Sequence, residues 1–299
     1  MFIIFINDLQ NATNLFIKLF ADDTFLCAEH SNFDLLEREV NLELEKVYEW
    51  LSANKLTLNI SKSKYMLVTN KKDITRNPSI SINGTLLGLC EKYKYLGVVI
   101  DKNLTWKPQI EHVCEKISKA CGAIAKLRHC VSTKLLVEVY HSLIHSYLRY
   151  GIMVWGTASD VNLYPLKVLV NRAVRIITSA PFGRVDLEPI YSYLRVLDLE
   201  KVYLLETCKY MYKVKKDLIP VVIGKHFRNR SEILPQHNYN LRNRNQTPKI
   251  ETRLASSEKS IQLRGEKLWA DLPDNLKECS SLVNFKKNLK LSLLESYVD

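Results

Sequence analysis

The sequence has no C-x-x-C pair. Its seven cysteines (27, 90, 114, 121, 130, 208 and 279) form an odd, scattered set. That excludes a zinc module of paired ligands, argues against a disulfide framework, and fits a reducing compartment. No low-complexity tract and no internal repeat is visible, so an array or a long disordered tail is not expected. No apolar run is long enough to cross a bilayer. The opening Met-Phe-Ile-Ile-Phe-Ile meets Asn7-Asp8 at once and lacks the basic stretch of a signal peptide. It reads as a strand or helix end cut out of a core, which raises the expectation of a missing amino-terminal portion.

What is present is ordinary globular composition: 299 residues, 46% hydrophobic and 25% charged, enough for one to three domains. The net charge of +11 is uneven. Residues 1–100 carry 11 Lys/Arg against 12 Asp/Glu, residues 101–219 carry 18 against 11, and residues 220–299 carry 14 against 9. The positive field thus belongs to the last two thirds. It suits a polyanion such as nucleic acid, although a surface rich in lysine would read the same way.

Hydrophobic periodicity divides the chain near residue 101. Residues 15–28, LFIKLFADDTFLCA, predict a β-hairpin with Asp22 and Asp23 near its tip. Ser31-Asn32-Phe33-Asp34 predicts a capping box, followed by a helix with its stripe at Leu36, Val40, Leu44, Val47 and Leu51. Strands are expected at 64–69 and 93–100, with a hairpin turning at Asn83-Gly84. Beyond Asp101 the spacing becomes helical. Stripes run Ile110–Ile124, then Leu135, Leu136, Val139, Leu143, Ile144 and Tyr147, then Leu166–Ile177, with a fourth helix over 196–216. Residues 224–262 are polar and basic, and helical character returns over 263–294 with a break at Leu272-Pro273. The expected class is α+β.

An Asp-Asp pair at a hairpin tip can hold hard divalent cations, which take oxygen ligands. It is also a common turn dipeptide. The order of motifs goes further. Phe20-Ala21-Asp22-Asp23, then Trp50 to Leu56 (WLSANKL), then Leu58-Asn59-Ile60-Ser61-Lys62, then Tyr93-Lys94-Tyr95-Leu96-Gly97-Val98 resembles the reverse transcriptases of non-LTR, jockey-like retrotransposons. Residues 140–156 (YHSLIHSYLRYGIMVWG), 171–178 (NRAVRIIT), and Leu268-Trp269 with Leu272-Pro273 extend that resemblance over nearly the whole chain.

The resemblance implies a partial palm over 1–101, a thumb and connecting helices over 102–160, and a helical carboxyl-terminal region over 161–299. It implies magnesium-dependent DNA synthesis from dNTPs on an RNA template with a DNA primer, and residence in nucleus or cytoplasm without a membrane partner. Asp22 would be a metal ligand, Asp23 a supporting or second ligand, and Lys62 a proton donor to the leaving pyrophosphate. Tyr95, Leu96 and Gly97 fall on the primer-grip hairpin. Arg242 and Arg244, near Tyr239, offer a further nucleic-acid contact or a solvated linker.

The family palm carries another metal-binding Asp on a strand before the FADD element. Only nineteen residues precede Phe20, and Asp8 among them lies outside such a strand. Loss of polymerase activity, an exposed sheet edge and poor solubility are therefore expected of the 299 residues alone. A retained nucleic-acid-binding module and a remnant without function are the competing expectations. His141 and His145, four residues apart on a helix, are read as surface or core residues ahead of metal ligands.

Overall fold

The computed structural model describes residues 2–69, 76–181, 183, 186–227 and 260–297, arranged in two compact units, 1–104 and 105–299. The class is α+β, with small sheets in the first unit and helices in the second.

The first unit is organised by one long helix. After α1 (Phe2–Ile6) and a 3-10 turn (Asn7–Asn11) come β1 (Phe16–Phe20), β2 (Asp23–Cys27) and α2 (Phe33–Ala53). The N-cap of α2 is Asn32, whose side chain accepts from the Leu35 N–H, one residue beyond the capping box expected at Ser31. The α2 stripe buries Leu44, Val47 and Leu51 on two fronts. Val47 and Leu51 meet Ile6 and Leu9 beneath the β1–β2 hairpin, and Leu44 meets Ile80 and Ile82.

Among the described residues the first unit holds four two-stranded ladders, and two of them correct the sequence reading. In the expected strand 64–69 only Lys64–Tyr65 (β3) is paired, in parallel with Gly88–Leu89 (β6). Ser81–Ile82 (β4) and Thr85–Leu86 (β5) form the expected hairpin, with Asn83 and Gly84 at φ 48° and 69°. Residues 93–100 are a hairpin and not one strand: Lys92–Tyr95 (β7) turns through Leu96-Gly97 into Val98–Asp101 (β8). Leu96 and Gly97 both have positive φ, 45° and 82°. Gly97 supplies that conformation cheaply, and alternating apolar residues on either side hid the turn.

The second unit begins with α3 (Lys107–Leu127), α4 (Thr133–Tyr140), a π-helical segment (His141–His145), α5 (Ser146–Arg149) and α6 (Ile152–Trp155). Then follow α7 (Asp160–Thr178), α8 (Glu188–Leu194) and α9 (Leu199–Lys215), and helices at Ile261–Ala270, Asp274–Lys277 and Leu282–Glu295. The α3 and α7 stripes bury as their spacing predicts. The stripe between them does so only in part, at Leu136 and Ile144. Leu135, Leu143 and Tyr147 are exposed, and the buried line is Leu136, Tyr140, Ile144 and Leu148. Its strict four-residue interval follows from the π segment, whose i→i+5 bonds wind more slowly than an α-helix. A 3.6-residue template therefore catches Leu136 and Ile144 and misses Tyr140 and Leu148.

Trp155 anchors the middle of this unit, fully buried, its indole N–H donating to the Tyr150 carbonyl at 2.8 Å. Next to it Gly156 leaves no room for a side chain: a Cβ there would lie 2.5 Å from the Ile152 carbonyl oxygen. The last helices join α9 through stacked Tyr212 and Phe285, with ring centroids 4.7 Å apart, and Trp269 packs on both. Among the described residues no helix is long and apolar enough to cross a membrane.

Candidate active-site hairpin

The FADD element is a two-residue β-hairpin. Phe16 pairs with Cys27 and Phe20 with Asp23, so Ala21 and Asp22 form the turn. Ala21 has φ 51°, a left-handed conformation that costs a non-glycine residue about 1–2 kcal/mol. Alternation sends Ile17 and Leu19 towards the core and leaves Phe16 and Phe20 exposed. Asp22 and Asp23 are exposed at the tip.

Two neighbours fix this hairpin, and one of them escaped the sequence reading. Glu43 on α2 is only 5% exposed. It accepts from the Thr13 hydroxyl, the Asn14 backbone N–H, the Asn14 amide and Lys46. These bonds hold residues 13–14 at the entrance to β1. They also depress the carboxyl to about 2, led by the Lys46 bond and the Asn14 N–H. The signal was available: position 43 lies three residues after Val40 and four before Val47, inside the apolar stripe. Glu43→Gln is expected to cost about 2 kcal/mol in chemical denaturation of the chain at pH 7. Because the folded carboxyl is depressed, its contribution is full above the ordinary value of 4.5 and lost as pH falls towards 2. The difference between wild type and variant therefore narrows over that window.

The second neighbour is the β7–β8 hairpin. The Tyr95 ring lies against Phe25 of β2, with centroids 5.4 Å apart. Burial raises the Tyr95 phenol above its ordinary value, and the charge of Asp23 adds to the rise. Two segments more than seventy residues apart in sequence, Asp22-Asp23 and Tyr95-Leu96-Gly97, are thereby brought to one place. Leu96 is half-buried and Gly97 exposed in the turn.

Lys62 is exposed in the turn before β3, where its backbone N–H donates to both the carbonyl and the side chain of Asn59. Asn59 thus sets the backbone at Lys62, while among the described residues no hydrogen bond or ion pair joins the lysine side chain to the aspartates. Arg242 and Arg244 lie outside the described residues.

The aspartates offer the oxygen donors a divalent cation prefers, but only as two adjacent side chains on one turn. Among the described residues no group of three or more His, Cys, Asp or Glu side chains could hold a metal ion. The set therefore fits magnesium in donor chemistry and falls short of a complete site. His141 and His145 face each other at 5.1 Å, and the charges acting on them are chiefly cationic. All seven cysteines are free, and burial pushes the thiols of Cys114 and Cys208 up to about 11 and about 12.

The chain is 25% identical over 192 residues to the RNA-directed DNA polymerase from mobile element jockey of Drosophila melanogaster, covering 63% of this chain and 20% of that protein. The jockey polymerase of Drosophila funebris is 29% identical over 188 residues, or 62% of this chain and 19% of that protein. The Retrovirus-related Pol polyprotein from type-1 retrotransposable element R1 of Bradysia coprophila is 22% identical over 172 residues, covering 56% and 17%. The chain thus spans about a fifth of the length of the curated relatives it matches. No protein-family model matches the chain, and no solved structure matches it.

Proposed function

We propose that this chain, a relative of the jockey-like non-LTR retrotransposon RNA-directed DNA polymerases, supplies the catalytic hairpin and the downstream part of such an enzyme. Residues 1–101 would then be palm and residues 102–160 thumb and connecting helices, a division supported by the change from small sheets to helices near that point. The reaction would be DNA synthesis on an RNA template from a DNA primer. The observation that carries the reading is the meeting of the Asp22-Asp23 tip with the Tyr95-Gly97 turn through the Phe25–Tyr95 contact.

In this reading Asp22 holds a magnesium ion and Asp23 supports it. Bound magnesium stabilises the attacking and leaving oxygens of nucleotidyl transfer. The β7–β8 turn, held against β2 by Tyr95, positions the primer end. Lys62, exposed and on a turn fixed by Asn59, donates a proton to the leaving pyrophosphate. With two carboxylates on one turn as its acidic set, the 299-residue chain by itself is inactive in primer extension. Incubation with a primed RNA template, dNTPs and magnesium tests this, and extension that Asp22→Ala abolishes would refute the inactivity.

A second reading, a nucleic-acid-binding module, is favoured by the charge of residues 101–299, whose 32 Lys/Arg exceed 20 Asp/Glu. It predicts that affinity for single-stranded RNA falls by about tenfold or more between 50 and 200 mM salt. Affinity that is indifferent to salt would end that reading.

A further inference from the structure

The second unit gathers positive charge around two imidazoles. His141, His145 and Arg149 follow at four-residue intervals from the π segment into α5. The two rings stand edge to face, 5.1 Å between centroids. Helix α9 packs against α5 and brings Lys209, and helix Leu282–Glu295 packs on α9 and brings Lys286 and Lys290.

One carboxylate meets these groups. Glu206 accepts from Arg149 Nε at 2.7 Å and from Lys209 Nζ at 2.6 Å, one bond to each oxygen. Lys290 acts on both imidazoles, Lys286 acts on Lys209 and Lys290, and Arg195 acts on Lys290. Among the described residues Glu206 is the only acid whose charge bears on the imidazoles, Lys209 or Lys290. Five permanent cations against one carboxylate leave a net charge of +4 with both imidazoles neutral. Lys209 and Lys290 are lowered by burial, and His145 Nδ1 is buried without a hydrogen-bond partner. Of the five cations Lys209 and Lys290 are half-buried, while Arg149, Arg195 and Lys286 are exposed, and a half-buried cation amid such an excess is costly unless an anion joins it.

We infer that this cluster binds a backbone phosphate of nucleic acid, with Arg149, Lys209, Lys286 and Lys290 supplying charge and the two histidines supplying N–H donors. The inference rests on the reading that the chain handles nucleic acid. Donors converging from three helices suit a tetrahedral phosphate, whose oxygens accept from several directions. Burial and the surrounding cations hold His145 down at about 4 and His141 below its ordinary value. A bound phosphate favours their charged forms, so affinity should rise as pH falls from 8 to 6.

The test is anisotropy of a labelled single-stranded RNA of about 20 nucleotides with the whole chain. Lys286→Gln with Lys290→Gln should weaken binding roughly tenfold at about 0.1 M salt and reduce the salt slope by about 1.4. Lys267→Gln with Lys287→Gln removes the same charge from exposed positions outside the cluster and should stay within about threefold of wild type. His141→Gln with His145→Gln should flatten the pH dependence.

Equal affinities for the cluster and control variants overturn the site and leave nucleic-acid binding intact. Absence of RNA binding by the wild-type chain overturns both readings. If inorganic phosphate raises the wild-type melting temperature but not that of the cluster variant, while RNA binding is unchanged, the site takes a free anion and the backbone assignment fails.

Discussion

Asp22→Ala, placed in a longer polymerase that carries this chain, is expected to lower primer extension on an RNA template by roughly a thousandfold or more. The size follows from the role proposed for the residue. A carboxylate that holds the metal acts with its partners as a unit, so losing it removes nearly the whole advantage of the site. Asp22→Ala also removes a negative charge near the proposed path of the nucleic acid. Affinity for the template-primer should therefore be unchanged or slightly higher, which separates a catalytic role from a structural one. Because Asp22 is exposed in the turn, the variant should fold as the wild type does. A variant that extends primers at the wild-type rate would remove Asp22 from the chemistry and leave the turn dipeptide as its explanation.

Trp155→Ala should lower stability by about 4 kcal/mol. The indole is fully buried, and its N–H satisfies the Tyr150 carbonyl. Truncation opens a large cavity and removes the indole donor from that carbonyl, next to Gly151, the N-cap of α6. The backbone nearby cannot close the space easily, because Gly156 already approaches the Ile152 carbonyl and Tyr203 as closely as its missing Cβ permits. In thermal denaturation this should appear as a fall of about 10 °C in the melting temperature of the second unit. Trp155→Phe, which keeps most of the volume and loses the donor, should fall in between. A loss under 1 kcal/mol for Trp155→Ala would contradict the packing described for 140–156.

Much of the candidate site was legible in the sequence because its signals are local. The FADD turn needs only two apolar runs and a short polar break, and the Asn83-Gly84 hairpin has its turn chemistry written in two residues. The α2, α3 and α7 stripes were legible because their faces hold a 3.6-residue period for several turns. Elsewhere two effects defeated the pattern. Leu96-Gly97 turns the chain inside a run of apolar and aromatic residues, so alternation continues through the bend and reads as one strand. The His141–His145 segment changes the helical pitch, which no composition announces, and the buried line shifts to Leu136, Tyr140, Ile144 and Leu148.

Contacts between distant segments were hidden for a different reason. Nothing local to Glu43 names Thr13 or Asn14 as its partners, and nothing local to Tyr95 names Phe25. The charges that converge on His141 and His145 come from three helices, the farthest nearly 150 residues away in sequence. Read alone, the two histidines are surface or core residues ahead of metal ligands. The structure supplies cations where a metal site would need acids.

The exposed apolar residues bear on handling of the chain. Phe16 and Phe20 line the outer face of the hairpin, and Ile3 and Ile4 of α1 are exposed as well. Among the described residues β1 and β2 pair only with each other, which leaves both outer edges open. Open edges of this kind recommend low protein concentration in the assays above.

As proposed, the Asp22-Asp23 turn, with the Tyr95-Gly97 turn beside it, would be the metal-binding tip of a polymerase palm. The most direct test is a titration of the isotope-labelled chain with manganese, a paramagnetic substitute for magnesium, followed by NMR. The account predicts selective broadening of amide signals at residues 20–25 and 95–97, abolished in Asp22→Ala. Broadening centred elsewhere, or broadening at the hairpin that survives Asp22→Ala, would contradict it.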